Sequence, residues 1–128
     1  MTAQFNLILA WIGIALGVIY GFILGRCFHR DGWLGGYASL RRRLYRLAHI
    51  ALFGLALINL GFYFTAQQLP YPNRSLDLAS WAFAVGAVTM PVCCLAMAHR
   101  LQLRSLFVIP VLSLLVGAVL TVWEVVQL

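Results

Sequence analysis

Three histidines are the first residues of this chain that could bind a cofactor. His49 opens one long apolar segment and His99 closes the next, so both lie at the same depth, and His29 follows the first segment on that side. Two neutral imidazoles from different helices can ligate a b-type haem, with nearby arginines neutralising its propionates. Histidines at helix ends more often hydrogen-bond to headgroups or carbonyls. We therefore predict no cofactor, with haem b at His49 and His99 as an alternative.

A group of sulfur side chains is the second candidate for chemistry. The third predicted span carries four sulfur residues, Met90, Cys93, Cys94 and Met97. The last three follow Met90 by three, four and seven residues, which places all four on one face of a helix. Thiolate and thioether ligands suit Cu(I), so a copper-handling site is one interpretation. Methionine and free cysteine are also ordinary packing residues in apolar helices, and this second interpretation is favoured. With Cys27 the cysteines number three, which indicates reduced thiols and no disulfide framework.

The remaining residues do not form a pattern that indicates catalysis. An enzyme needs a nucleophile, a base and an electrostatic stabiliser that converge, and the sequence offers no such set. Ion and proton transporters usually keep an ionisable residue near the middle of the membrane, and none lies there in the apolar segments. We therefore predict a protein that is not an enzyme.

The elements that must position these residues are four long apolar segments. The chain has 128 residues, of which 63% are hydrophobic and 9% charged. Each segment is close to the ~20 residues that a helix needs to cross the hydrocarbon core of a bilayer. Because a bilayer admits only helices or closed barrels, we predict an all-α bundle of four transmembrane helices forming one domain, residues 1–128. The predicted spans are residues 5–25, 47–66, 78–98 and 106–126.

The arginines predict which way the chain crosses the membrane. Nine arginines and no lysine are present, and eight of the nine lie in two of the three loops. The loop of residues 26–46 carries six and the loop after the third span carries two, whereas Arg74 is alone in the loop between. By the positive-inside rule both arginine loops are cytoplasmic and both termini lie outside, in what we predict to be the inner membrane of a bacterium. Basic residues confined to such short connectors do not predict nucleic-acid binding.

Four of these arginines form a cluster at the start of the second helix. Ser39 predicts the helix start, so Arg41, Arg42, Arg43 and Arg46 fall in its first turns, where positive charge opposes the helix dipole. Helix stability therefore does not explain them. We expect them to signal topology and to contact anionic lipid headgroups, with an acidic partner surface or haem propionates as alternatives.

The first span carries a glycine zipper. Gly13, Gly17, Gly21 and Gly25 repeat every four residues, so they share one helix face and leave a groove of about 18 Å without side chains. Such a groove lets another helix approach closely. The sequence leaves open whether that helix belongs to the same chain or to another subunit.

Two polar residues within the spans also need partners. Asn59 lies deep in the second span, where an unpaired amide is costly, so we expect it to hydrogen-bond to another helix. Glu124 ends the fourth span, either solvated at headgroup level or paired with a cation of a neighbouring subunit.

Taken together, these features are devices for packing helices. We predict a small, non-catalytic accessory subunit that packs on a larger membrane complex, of a respiratory or other electron-transfer kind. Its expected partners are membrane lipids and the transmembrane helices of other subunits. The alternatives are a haem b cytochrome and a Cu(I)-handling membrane protein.

Overall fold

A computed structural model of the protein describes residues 2–70 and 72–128, and every regular element in them is helical. The four long helices are α1 (Thr2–Phe28), α2 (Leu40–Ala66), α3 (Arg74–His99) and α4 (Val108–Val126). Short 3₁₀ helices occupy Trp33–Gly35 and Leu101–Phe107. The prediction of an all-helical chain with four long apolar helices is confirmed.

The first three helices extend beyond the predicted spans. Helices α1 and α2 have 27 residues each and α3 has 26, which at 1.5 Å per residue makes them about 40 Å long. A hydrocarbon core is only ~30 Å thick, so the helix ends reach headgroup depth. By length and composition all four can cross a membrane when α4 is taken with the 3₁₀ turn before it, as is typical of a membrane protein.

Consecutive helices pack against each other and run in opposite directions. Helix α2 lies between α1 and α3, and α4 packs mainly against α3. We call the end that holds residues 29–39 and the Leu101–Phe107 turn the arginine end, and the other end, with both termini, the terminal end. Helix α3 is the most enclosed of the four and α4 the least, so the bundle is open along α4.

The packing of α4 on α3 depends on glycine at two points. A Cβ at Gly117 of α4 would approach the Phe83 ring to 2.9 Å, and Leu114 of α4 occupies the space beside Gly86 of α3. Ser113 also donates a hydrogen bond to the Ala82 carbonyl. Close approach of this kind is the usual basis of helix association in membranes, because lipid tails are as apolar as the helices themselves.

Candidate functional site

Three helices meet at a buried polar cluster near the terminal end. The Asn6 amide of α1 donates to Asn59 Oδ1 of α2 at 2.7 Å and to the Ser80 carbonyl of α3 at 3.2 Å. The Ser80 hydroxyl donates in turn to Asn6 Oδ1, and Asn59 Nδ2 donates to the Leu55 carbonyl at 2.8 Å. All three side chains are buried. We call Asn6, Asn59 and Ser80 the amide cluster; its bonds hold α1, α2 and α3 together.

Sequence reasoning singled out Asn59 but missed Asn6. Asn6 lies one turn into α1, a position where a polar residue is easily assigned to the membrane surface. The available signal was its position in the sequence, because Asn6 stands between Phe5 and a long apolar run that begins at Leu7. A polar side chain on such a run needs a partner from another helix.

The glycines of α1 lie against α2, with one exception. A Cβ at Gly13 would lie 3.1 Å from the Ala56 Cβ, and one at Gly17 would lie 2.8 Å from the Phe53 ring. A Cβ at Gly21 would meet His49 Nε2 at 2.6 Å. A Cβ at Gly25 would have no atom of the described residues within 4 Å, apart from its chain neighbours and the adjacent backbone of its own helix. The face formed by the first three glycines is thus occupied within the chain.

His49 is held inside the α1–α2 interface. Its Nε2 lies 3.1 Å from the Gly17 carbonyl oxygen, and its ring stacks on Tyr20 and meets Phe53 edge-on. A carbonyl oxygen can only accept a hydrogen bond, so Nε2 carries the proton. A protonated nitrogen has no lone pair for iron. In this arrangement His49 links two helices and does not present Nε2 as a haem ligand.

His99 has a different neighbourhood at the end of α3. Its Nε2 shares a hydrogen bond of 2.8 Å with the Tyr45 hydroxyl of α2, and the Tyr45 backbone carbonyl accepts a bond of 3.1 Å from Tyr20 of α1. The Tyr45 ring also meets Trp33 edge-on, with ring centroids 5.6 Å apart. Both histidines therefore stabilise helix contacts, each with its own partner, and their Nε2 atoms are not directed at a common ligand.

The sulfur residues of α3 are distributed between the core and the neighbouring turn. Cys94 is fully buried, and Cys93 is buried with its thiol 3.6 Å from the Leu106 carbonyl of the Leu101–Phe107 turn. Met90 is partly buried, and Met97 lines a pocket of about 560 Å³ at the arginine end, together with His99. These different surroundings are typical of packing residues.

Arg42, in the first turn of α2, is buried beneath the loop that joins α1 to α2. It is only 2% exposed, and its guanidinium donates to the Phe28 carbonyl at 2.8 Å. The Phe28, Tyr37 and Trp33 rings lie 4.6, 5.4 and 5.8 Å from the guanidinium carbon, within reach of cation–π attraction. Its Nε has no acceptor among the described residues. Arg42 therefore fixes the loop from inside. Its side chain is buried, so it is not placed for the predicted contact with headgroups or a partner.

The loop needs this support because its backbone is strained. Leu34 adopts φ 53° and ψ 30°, and Gly35 and Gly36 follow with φ of 88° and 96°. A non-glycine residue in the left-handed region costs roughly 1–2 kcal/mol. Ser39 offsets part of this cost, because its hydroxyl donates to the Leu34 carbonyl at 2.6 Å and accepts from the Arg42 backbone amide at 3.2 Å. Ser39 is thus both the N-cap of α2 and a tie to the loop.

The other three arginines of the cluster remain at the surface. Arg41 and Arg43 are exposed. Arg46 is half-buried, with its guanidinium carbon 5.1 Å from the centre of the Tyr37 ring. These three side chains remain accessible for the predicted contact with headgroups or a partner.

The Glu124 side chain, near the end of α4, lies beside the start of α3. Asn73 caps α3 by accepting a hydrogen bond from the Ser75 amide at 2.9 Å, and its side-chain amide donates to Glu124. The carboxylate of α4 is thereby held beside the positive end of the α3 dipole, where negative charge is stabilised. A polar contact within the chain thus explains why Glu124 is partly buried.

The residue types that most often bind metal ions do not converge in the described part of the chain. Within residues 2–70 and 72–128, no three histidine, cysteine, aspartate or glutamate side chains come together closely enough to hold an ion. No protein-family model, curated protein or solved structure matches the chain.

Proposed function

We propose that the protein is a non-catalytic, helix-packing subunit of a larger membrane complex. The observation that carries this proposal is that the polar side chains suited to chemistry already have partners within the protein. The amide cluster, His49, His99, Arg42 and Glu124 are each engaged in contacts between elements of the chain itself. Side chains consumed in this way support a structural role.

The open side of the bundle supports the same role. Helix α4 packs on α3 and turns the rest of its circumference outward, with Leu112, Val119 and Val122 more than half exposed. Its only buried residues are Pro110 and Gly117. A helix attached by one side leaves room for the transmembrane helices of other subunits. We propose that the host complex is a respiratory or other electron-transfer assembly, as predicted from the sequence.

Orientation and location belong to the same proposal. The arginine end is cytoplasmic and both termini lie outside, because six arginines in the first loop and two near the third span's end hold that side inward. The membrane concerned is the inner membrane of a bacterium. Arg41, Arg43 and Arg46 then lie at headgroup level, where each contributes about 1 kcal/mol of attraction to anionic lipid.

Photo-crosslinking tests the proposal directly. A photoreactive phenylalanine at Val119 is expected to give discrete crosslinked species with other membrane subunits, which mass spectrometry then identifies. The matched control is the same group at Gly54, which is exposed on α2. Purification in mild detergent as a lone monomer, with only lipid adducts at Val119, would contradict the proposal. Discrete partners that carry no redox cofactor would keep the accessory role and reject the electron-transfer assembly.

A further inference from the structure

An apolar groove runs along one side of the bundle between α1 and α3. Helix α2 forms its floor, and the groove has a volume of about 450 Å³. Its walls are aliphatic side chains that are about half exposed, such as Ile19 and Ile23 of α1 and Val88 and Val92 of α3. Because these residues lie within apolar helices, the open side of the groove faces the lipid.

The groove begins beyond the point where α1 and α3 meet near the terminal end. There Asn6 bonds to Ser80, and the Phe5 and Trp81 rings lie 5.7 Å apart. Farther along, the two helices are separated, and small side chains on α2 keep the floor low, notably that of Ala48. Hydrogen bonds between helices flank this gap along the bundle. The amide cluster lies toward the terminal end, and the bond from Tyr20 of α1 to Tyr45 of α2 lies toward the arginine end.

The dimensions of the groove fit a single hydrocarbon chain. Its lining on α1 runs from Leu9 to Ile23, about 21 Å of helix. Over that length its volume corresponds to a mean cross-section of about 20 Å². An extended acyl chain is one carbon wide, about 4–5 Å at van der Waals contact. A transmembrane helix with its side chains is about 10–12 Å across and could only rest on the rim.

An arginine and a histidine flank the groove where it ends at the arginine end. Arg26 lies one turn beyond Ile23 on α1, is exposed, and is placed about 4.5 Å farther along the helix axis. His99 lies one turn beyond Leu95 on α3, with its ring fixed by Tyr45. Both are at the helix ends that reach headgroup depth. A lipid whose chain lies in the groove would therefore hold its phosphate beside Arg26.

We propose that this groove is a binding site for one anionic phospholipid of the leaflet at the arginine end. One acyl chain lies along Ala48 and Leu52 between α1 and α3, and the phosphodiester pairs with Arg26. The net charge of +6 at pH 7 and the basic side chains at this end favour an anionic headgroup over a zwitterionic one. The site does not depend on any protein partner, so it can be tested separately from the accessory role.

Native mass spectrometry of the purified full-length chain tests the site. The probes are phosphatidylglycerol and phosphatidylcholine with identical acyl chains, supplied together in mild detergent. We expect one phosphatidylglycerol to be retained per chain. Arg26→Gln is expected to reduce the preference for phosphatidylglycerol about fivefold, the loss of one arginine contact with anionic lipid. Arg104→Gln, which removes an exposed arginine away from the groove, is the matched control.

A second pair of variants tests the groove itself. Val88→Phe places a ring in the groove wall and is expected to abolish retention of both lipids. Val18→Phe adds the same ring to an exposed position of α1 outside the groove and should change nothing. Unchanged thermal unfolding of each variant shows that the bundle is intact. Retention that survives Val88→Phe overturns the proposal, as does an equal loss with Arg104→Gln, or crosslinking of a polypeptide from a photoreactive group at Val92.

Discussion

At the scale of single residues, this protein uses its few polar side chains to connect helices. A buried amide or guanidinium that water does not reach must find its partner within the protein, whether it lies between helices or under a loop. Asn6 finds two partners on two helices, and Arg42 finds a backbone carbonyl and three aromatic rings. Both residues therefore contribute to stability through contacts that can be removed one at a time.

Removing the Asn6 side chain should loosen three helices together. Asn6→Ala leaves the Asn59 carbonyl oxygen and the Ser80 hydroxyl without this bridging partner, and interhelical hydrogen bonds in membranes are worth about 0.6 kcal/mol on average and up to ~1.7. We expect a loss of about 1–2 kcal/mol in the free energy of unfolding, measured in bicelles. Gln4→Ala, at an exposed position on the same turn, is the control. Equal stability of the two variants would show that the amide cluster is not stabilising.

Removing the Arg42 guanidinium should open the loop between α1 and α2. Arg42→Gln loses a charged hydrogen bond and the contacts with the aromatic rings, together about 2 kcal/mol, which raises the open population roughly thirtyfold. The measurement is the rate of chymotryptic cleavage after Trp33 and Tyr37. Arg41→Gln, which changes an exposed neighbour, should leave that rate unchanged. Equal cleavage of the two variants would mean that Arg42 does not fix the loop.

At the scale of elements, the contact of α1 with α2 depends on missing side chains at defined positions. Gly17 faces the Phe53 ring, whereas Gly25 of the same repeat faces open space among the described residues. The sequence repeat treats these two glycines as equivalent. Only the direction in which α2 leaves α1 distinguishes them.

A matched pair of leucine substitutions separates the two glycines. Gly17→Leu must displace Phe53 and push α2 away, and overpacking of this kind costs about 1–3 kcal/mol. Gly25→Leu replaces a poor helix former without a clash, so it should be neutral or slightly stabilising. Thermal unfolding in detergent, followed by circular dichroism, measures both. A lower midpoint for Gly25→Leu than for Gly17→Leu would contradict the arrangement of α1 and α2.

At the scale of the whole molecule, the distribution of charge predicts orientation. In a variant without native cysteines, Gln127→Cys should react with a membrane-impermeant maleimide in intact spheroplasts, because we expect the carboxyl terminus to lie outside. Ala38→Cys, in the exposed loop at the arginine end, should react only after the membrane is opened. The reverse pattern would invert the proposed orientation. Each position serves as the control for the other, since both are exposed.

The sequence by itself was enough to predict that the protein lies in a lipid bilayer and that its elements are helices. Length and apolarity of a segment act locally, so residues 5–25, 47–66, 78–98 and 106–126 could be assigned to helices without knowing their neighbours. The start of α2 after Ser39 was also predictable, because an N-cap bonds to its own first turn. Asn59 could be expected to need a partner because burying an unpaired amide in the membrane is costly.

Only the tertiary structure decided which partners those residues have. The assignment of Asn6 to Asn59, of His49 to Gly17 and of Glu124 to Asn73 joins residues that lie far apart in the chain. Arg42 and Arg41 are neighbours of the same type, yet one is buried and the other exposed, because the loop folds back over only one of them. Such choices depend on the angles and distances between helices. Periodicity along one helix identifies a face, but it carries no information about what that face meets.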